Sequence, residues 1–218
     1  MDEQAWNAAA LAAPVTAPAL RIWRYDAPIL VLGPSQRSSP EIEQRAAAAA
    51  VTVATRMTGG GAVLAGPWLL GASVVLPPDH ARVRPSLRES YRWLGEALAG
   101  WLAGVGVAAR AEGTPPPRPD AALAWACFAG VSHWEVEVAG RKIVGLSQAR
   151  RRTGTLLSAG VLVGATPWPL LCALLDRPAA QADELTRRTV SVEEALGGPP
   201  PDLAARFEDA IAAAVPLP

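Results

Sequence analysis

Lysine is almost missing from this chain: of 20 basic residues in 218, only Lys142 is a lysine and the rest are arginine. Cysteine and histidine are nearly as scarce, and Cys127, Cys172, His80 and His133 are the whole set. Two cysteines cannot build a disulfide framework, which points to free thiols in the cytoplasm. A zinc centre made of cysteine and histidine has little to draw on, so no metal is expected. The 20 basic residues are balanced by 20 acidic ones. Nothing global therefore favours nucleic acid or a membrane surface as partner. No uninterrupted apolar run is long enough to cross a bilayer. The opening Met1-Asp-Glu-Gln4 lacks the basic start and apolar stretch of a secretory signal.

What is present is a chain that is 50% hydrophobic, enough for one large domain. Glu3 to Ala12 is alanine-rich and predicts a helix, which Pro14 and Pro18 end. Strands are expected over Arg21 to Asp26, Pro28 to Leu32, Val51 to Arg56 and Gly71 to Leu76. Ser39-Pro40 offers a cap and a first-turn proline for a helix to about Ala50. Leu87, Tyr91, Leu94, Leu98, Trp101 and Val105 recur at helical steps, predicting a helix from about Pro85 to Gly104. Val107 to Ala111 reads as a strand and Gly113 to Pro119 as a loop. Trp134, Val136 and Val138 alternate with His133, Glu135 and Glu137, which predicts a half-buried strand. With Arg141 onward to the arginines at 150–152, and Thr155 to Val163, it forms an antiparallel meander turning at Ala139-Gly140. Short helices follow at Trp168 to Leu175 and Ser191 to Leu196, then a last one over Asp202 to Val215. Mixed elements without a βαβ repeat predict an α+β domain around a mostly antiparallel sheet.

Three segments carry candidate chemistry. Arg56-Met-Thr-Gly-Gly-Gly-Ala-Val63 lacks side chains at Gly59, Gly60 and Gly61, so its backbone can approach a ligand or form an anion-binding concavity. It is neither a P-loop nor a dinucleotide fingerprint. Alone, three glycines in a row are more often just a turn. Gly140-Arg-Lys-Ile-Val-Gly-Leu-Ser-Gln148 sets the single lysine between two glycines. Arginine serves wherever a permanent charge suffices, so a surviving lysine suggests an ammonium aimed into a pocket; the alternative is a strand-edge lysine that keeps the sheet soluble. Cys127, in Trp125-Ala-Cys-Phe128, is either a small buried hydrophobe or a nucleophile assisted by Lys142 or His133. Cys172 has apolar helical surroundings and reads as core. The arginines at 150–152 read as a solvated face that could meet an acidic carrier protein or phosphate.

Taken together, these segments resemble the lipoate–protein ligase and octanoyltransferase family. Residues 56–63 look like its glycine-rich motif, and Gly140 to Arg150 like its lysine motif. Leu20-Arg-Ile-Trp23, Pro28 to Gly33 and Gln36 are similar to its first strands, and Thr189 to Leu196 to its closing segment. The resemblance spans about residues 4–197. It implies the biotin/lipoate protein ligase catalytic fold, related to class II aminoacyl-tRNA synthetases. It also implies Lys142 as a catalytic residue, with Arg56, Gly59, Gly60, Gly61, Ala62, Gly145, Ser147 and Gly160 around the substrate. In the ligase branch ATP, with Mg²⁺, activates the acid, and the lysine holds carboxyl and phosphate oxygens. In the transferase branch a cysteine takes the acyl group from a thioester carrier. Cys127-Phe128 ahead of Trp134-Glu135 is similar to one transferase subgroup and makes Cys127 the nucleophile.

The transferase reading requires no cofactor. Its donor is an acyl carrier protein or an acylated lipoyl-domain protein, and its acceptor a lipoyl-domain lysine. The glycine loop would supply oxyanion donors, and Leu64, Leu69, Val74 and Val161 would line an acyl slot. One catalytic domain over residues 1–218, without a C-terminal accessory domain, is expected. Three departures stand out. Ala65-Gly66 replaces His-Asp, Ser158-Ala159-Gly160 replaces Gln-His-Gly, and Thr55 replaces the first of two arginines. They keep open a non-catalytic acyl- or carrier-binding protein beside the transferase and the ATP-dependent ligase.

Overall fold

The computed structural model describes residues 2–115, 121–198, 200 and 202–215. Its centre is a six-stranded antiparallel sheet made of β1 (Ala19–Arg24), β5 (Leu69–Leu76), β9 (Gly154–Leu162), β8 (Arg141–Arg151), β7 (Val136–Val138) and β6 (Arg110–Ala111), in that order across the sheet. A second sheet places β2 (Ile29–Leu32) between β3 (Thr52–Thr55), to which it runs parallel, and β4 (Val63–Ala65), to which it runs antiparallel. The expected meander is β7, β8 and β9, turning at Ala139 and Gly140, both in the left-handed region. The α+β class and the mostly antiparallel sheet are as the sequence predicts.

Each face of the large sheet is covered. On one side lie α3 (Arg92–Gly104) and α7 (Leu203–Ala214), whose Leu94, Leu98, Trp101, Phe207 and Ile211 meet Val74, Val144 and Val161. On the other lie α1 (Glu3–Ala10), the small sheet with α2 (Pro40–Ala48), and the layer of α4 (Trp168–Leu174) and α5 (Ala179–Arg188). Covered on both faces, β5 is buried at every position, which its run Leu-Leu-Gly-Ala-Ser-Val-Val-Leu reflects. The short α6 (Val192–Leu196) precedes α7 and is capped by Ser191 accepting from the Glu194 N–H.

The register makes one bare row and one row of small side chains on the face toward the small sheet. Gly71, Gly160 and Gly145 lie side by side across β5, β9 and β8, and two residues along so do Ser73, Ser158 and Ser147. A sheet with no side chain at three adjacent positions presents a trough.

Several expectations need correction. The helix predicted from Pro85 begins only at Arg92, after a 3₁₀ turn at Glu89–Tyr91. The Pro85 and Ser86 carbonyls accept instead from the Arg150 guanidinium. Arg150 is therefore a tie between β8 and this segment, whereas Arg151 and Arg152 are exposed. The half-buried strand from 133 shrinks to Val136–Val138, and its acidic face is not wet: Glu135 and Glu137 are both buried, in ion pairs with Lys142 and Arg110. The strand expected over 107–111 is only Arg110–Ala111. Helix α5 and strand β4 went unread, because α5 buries only Ala182 and Leu185 and β4 is three residues long. Of the loop Gly113 to Pro119, residues 116–119 lie outside the described residues.

Candidate active site

Strand β3 delivers Arg56, whose N–H continues the sheet by donating to Leu32 O. Its guanidinium turns back and donates to Gly59 O (3.1 Å) and Gly61 O (2.6 Å), so the glycine loop winds around one buried cation. Gly60 has φ +103°, and a Cβ there would stand 2.8 Å from the Arg56 guanidinium and 3.4 Å from Cys127 Sγ. The thiol therefore faces the glycine loop directly. At Gly61 a Cβ would meet Trp125 O at 2.2 Å. That closeness lets the Ala62 N–H donate to Trp125 O (2.7 Å) and the Cys127 N–H to Ala62 O (2.9 Å). Among the described residues the N–H groups of Gly59, Gly60 and Gly61 donate to no protein acceptor. Gln36 clamps the same corner, donating to Trp125 O and accepting from the Gly33 N–H.

From the opposite side, β8 delivers Lys142, which is 1% exposed. Its ammonium lies 2.6 Å from Glu135 Oε2 and donates to Cys127 O (2.9 Å) and Gly130 O (3.1 Å). Three donors meet three acceptors, so the ammonium is saturated by protein. It also lies 5.1 Å from the Phe128 ring centre, and Gly145 leaves room for that ring and the lysine stem. Glu135 is fully engaged too: Oε2 accepts from the Ser132 N–H and Oε1 from the Leu146 N–H. A buried ion pair persists only with such hydrogen bonds around it. The single lysine thus holds the backbone of the loop that carries the cysteine.

Two hollows meet at Cys127. One is a narrow, mostly apolar slot between the sheets, lined by Val31, Leu69, Phe128, Gly145 and Gly160 among others, with a cavity volume of about 60 Å³. Its far wall is α1 with Glu3, whose carboxylate accepts from the Tyr25 hydroxyl (2.7 Å). Burial pushes the Glu3 carboxyl up, against the Tyr25 hydrogen bond and the Arg56 charge, which pull it down. Burial, then Glu3, raises the Tyr25 phenol well above its usual range. The other hollow is an open groove lined by Gly59, Gly60, Tyr91, His133, Glu135 and Lys142. Cys127, Leu146 and Ser147 border both.

The structure brings together most of the residues singled out from the sequence. Arg56, Gly145, Ser147 and Gly160 border the slot, and Gly59, Gly60 and Gly61 the groove. Ala62 joins them through its backbone to Cys127. Of the four guessed lining residues only Leu69 lines the slot. Leu64 is fully buried in the core, and strand parity turns Val74 and Val161 toward α3 and α7. Cys172 is buried, and burial raises its thiol, which leaves it an inert core residue. At the departures, Ala65, Ser158 and Ala159 line the slot, and the Trp68 indole occupies the space over Gly66. Glu3, Tyr25 and Glu135 were missed as site residues. Only Glu135 left a signal, an acid just before the strand that turns into the lone lysine.

A family model described as the lipoyl protein ligase A/B catalytic domain matches residues 1–211. Among curated relatives, the octanoyltransferase LipM of Kyrpidia tusciae is 33% identical over 204 residues, covering 89% of this chain and 73% of that protein. The octanoyltransferase LipM of Moorella thermoacetica is 32% identical, covering 84% and 68%. In fold, the chain is similar to a lipoate-protein ligase A bound with ATP, with a TM-score of 0.68 and 23% identity over 90% of this chain and 72% of that one. It is likewise similar to the bipartite lipoate protein ligase of Thermoplasma acidophilum, with a TM-score of 0.66 and 20% identity over 93% and 72%. With sequence motifs, fold and relatives in agreement, this chain belongs to the lipoyl protein ligase A/B catalytic-domain family.

Proposed function

We propose that this chain is an acyltransferase that moves an octanoyl-type group from a thioester carrier to a lysine of a lipoyl-domain protein through a thioester on Cys127. The observation that carries the reading is the thiol's position where a narrow, mostly apolar slot meets a wider groove. The apolar lining of the first offers an acyl chain about 0.8 kcal/mol for each methylene buried once its walls part to admit the chain, and two protein partners in turn need the second. The names of the relatives, octanoyltransferases, support the same reaction.

In the first half-reaction Cys127 Sγ attacks the thioester carbonyl carbon. The carbon–sulfur bond to the carrier breaks, and the carrier thiol leaves with a proton. In the second, the acceptor ε-amine attacks the Cys127 thioester, an amide forms and the thiol is restored. The carbonyl oxygen becomes an oxyanion in both. The N–H groups of Gly59, Gly60 and Gly61, which meet no acceptor among the described residues, lie in the loop that faces the thiol and are the candidate donors. Lys142 acts as a positioning residue, holding Cys127 by its carbonyl. Its saturated ammonium has no proton free for acyl-adenylate oxygens, which favours thioester exchange over the ATP-dependent ligase reaction. Thioester exchange needs no cofactor, and ATP with Mg²⁺ enters only in the ligase alternative. A reaction that depends on a free thiol suits the cytoplasm, and both cysteines are unpaired.

The test is intact-protein mass after incubation with octanoyl-acyl carrier protein. Wild type is expected to gain one octanoyl group and Cys127→Ala none. Transfer to a lipoyl domain that occurs only with ATP and free acid would establish the ligase instead. Inactivity under both conditions would leave a binding protein.

A further inference from the structure

A chain with no net charge carries one strongly basic surface. Arg82, Arg84, Arg88 and Arg92 are all exposed on the segment leading into α3, and Arg151 and Arg152 are exposed at the end of β8. Arg150 joins the two stretches through its bonds to the Pro85 and Ser86 carbonyls. Of these exposed arginines, Arg92 is paired with Glu96. Glu89 also borders the hollow that Arg82, Arg84 and Arg92 share. Among the described residues Arg84, Arg88 and Arg152 have no acidic partner. Clustered like charges repel one another, so folding alone gives no reason to gather them. In their midst Leu87 is 55% exposed, the single large hydrophobic side chain left open among the described residues.

The surface borders the reaction site. Tyr91, one turn past Leu87, lines the groove with Cys127. The Leu87 carbonyl accepts from the Gln148 amide, next to Ser147 on the groove wall.

We propose that this arginine surface, centred on Leu87, docks the acyl donor: an acidic carrier domain that brings the acyl group on a phosphodiester-linked thioester arm. The inference rests on the acyltransfer reading above. Charge decides between the two carriers that reaction needs. The donor's arm is anionic at its point of attachment, and guanidinium groups on the segment that leads to Tyr91 in the groove attract it and an acidic surface around it. The acceptor must present a cationic lysine at its point of contact, which the same arginines repel. Leu87 supplies the apolar centre that a rim of charge surrounds in a docking site.

The experiment follows single-turnover acylation of Cys127 by octanoyl-acyl carrier protein and by octanoyl-pantetheine. It compares wild type with Arg84→Glu/Arg88→Glu, and with wild type across a salt series. The expected result is at least about a tenfold loss of kcat/KM with the carrier in the variant, carried by KM, with octanoyl-pantetheine unaffected. In wild type, added salt should raise KM for the carrier alone. Unchanged acylation by the carrier overturns the proposal. So does a defect confined to the second step, transfer from acylated Cys127 to the lipoyl domain, which would assign the surface to the acceptor. If the variant loses both donors together, the wild-type salt series decides, and a salt-independent KM overturns the docking role. No acylation of wild type by either donor would instead refute the acyltransfer reading itself.

Discussion

Lys142 and Glu135 form a pair that neither can leave alone. Glu135→Ala strands a buried ammonium and is expected to cost about 3–5 kcal/mol, measured by urea denaturation. The double change Lys142→Met/Glu135→Leu should restore part of that stability by removing the buried charge, although Cys127 O, Gly130 O and the Ser132 and Leu146 N–H groups lose their partners. It should not restore Cys127 acylation, because the hydrogen bond to the Cys127 carbonyl is gone. Recovery of both would show that the lysine serves the fold only. Glu3 offers a pH test. Burial raises its carboxyl above the usual 4.5, so the folded state binds that proton more tightly. The group therefore favours folding below the usual value, and this contribution is lost as pH rises through the raised one. Glu3→Gln should raise the melting temperature relative to wild type at about pH 8 and not at about pH 4. A difference independent of pH would contradict the assignment. Ser158 Oγ is buried without a partner, so Ser158→Ala should be neutral or stabilising by about 1 kcal/mol.

The glycine loop and the strands on either side of it show what a sequence declares and what it withholds. Gly59, Gly60 and Gly61 look equivalent as letters. In space a Cβ at Gly59 meets nothing within 4 Å, while one at Gly61 lies 2.2 Å from Trp125 O. Gly59→Ala should keep near-wild-type stability and acylation. Gly61→Ala should prise the loop from the cysteine segment, costing more than about 2 kcal/mol and most of the acylation rate. Equal behaviour of the two would refute this division. Strands β1, β2, β5, β8 and β9 were legible because their alternation or continuous apolar runs express how they are buried. The amphipathic period at Leu87 and Tyr91 misled, since Arg150 takes the carbonyls that a first helical turn would have used. Glu135 misled for a related reason. Its charge marks a wet face unless a partner from another strand is known, and Lys142 is that partner. The motif residues were legible through resemblance. The Gly71–Gly160–Gly145 row was not, because it exists only once three strands are in register.

That row connects the two sheets to the reaction. The slot exists because side chains are absent there, so its length should be measurable through stability. Acylating Cys127 with thioesters of increasing chain length should raise the melting temperature by roughly 2–4 °C for each kcal/mol of burial gained, until the chain outgrows the slot. A flat series would mean the acyl chain lies elsewhere. The hydrogen bonds around Cys127 also fix when the thiol becomes useful. Its loop is held by Gln36 and Ala62 from earlier in the chain and by Lys142 from later. Lys142 in turn is seated by its pairing with Glu137 of β7 and by the Val190 N–H, which donates to its carbonyl. During synthesis the cysteine therefore leaves the ribosome before the cation and the strand that seat it. The thiol is thus made before the groups that seat it, and its site can form only once Lys142 and Val190 have followed.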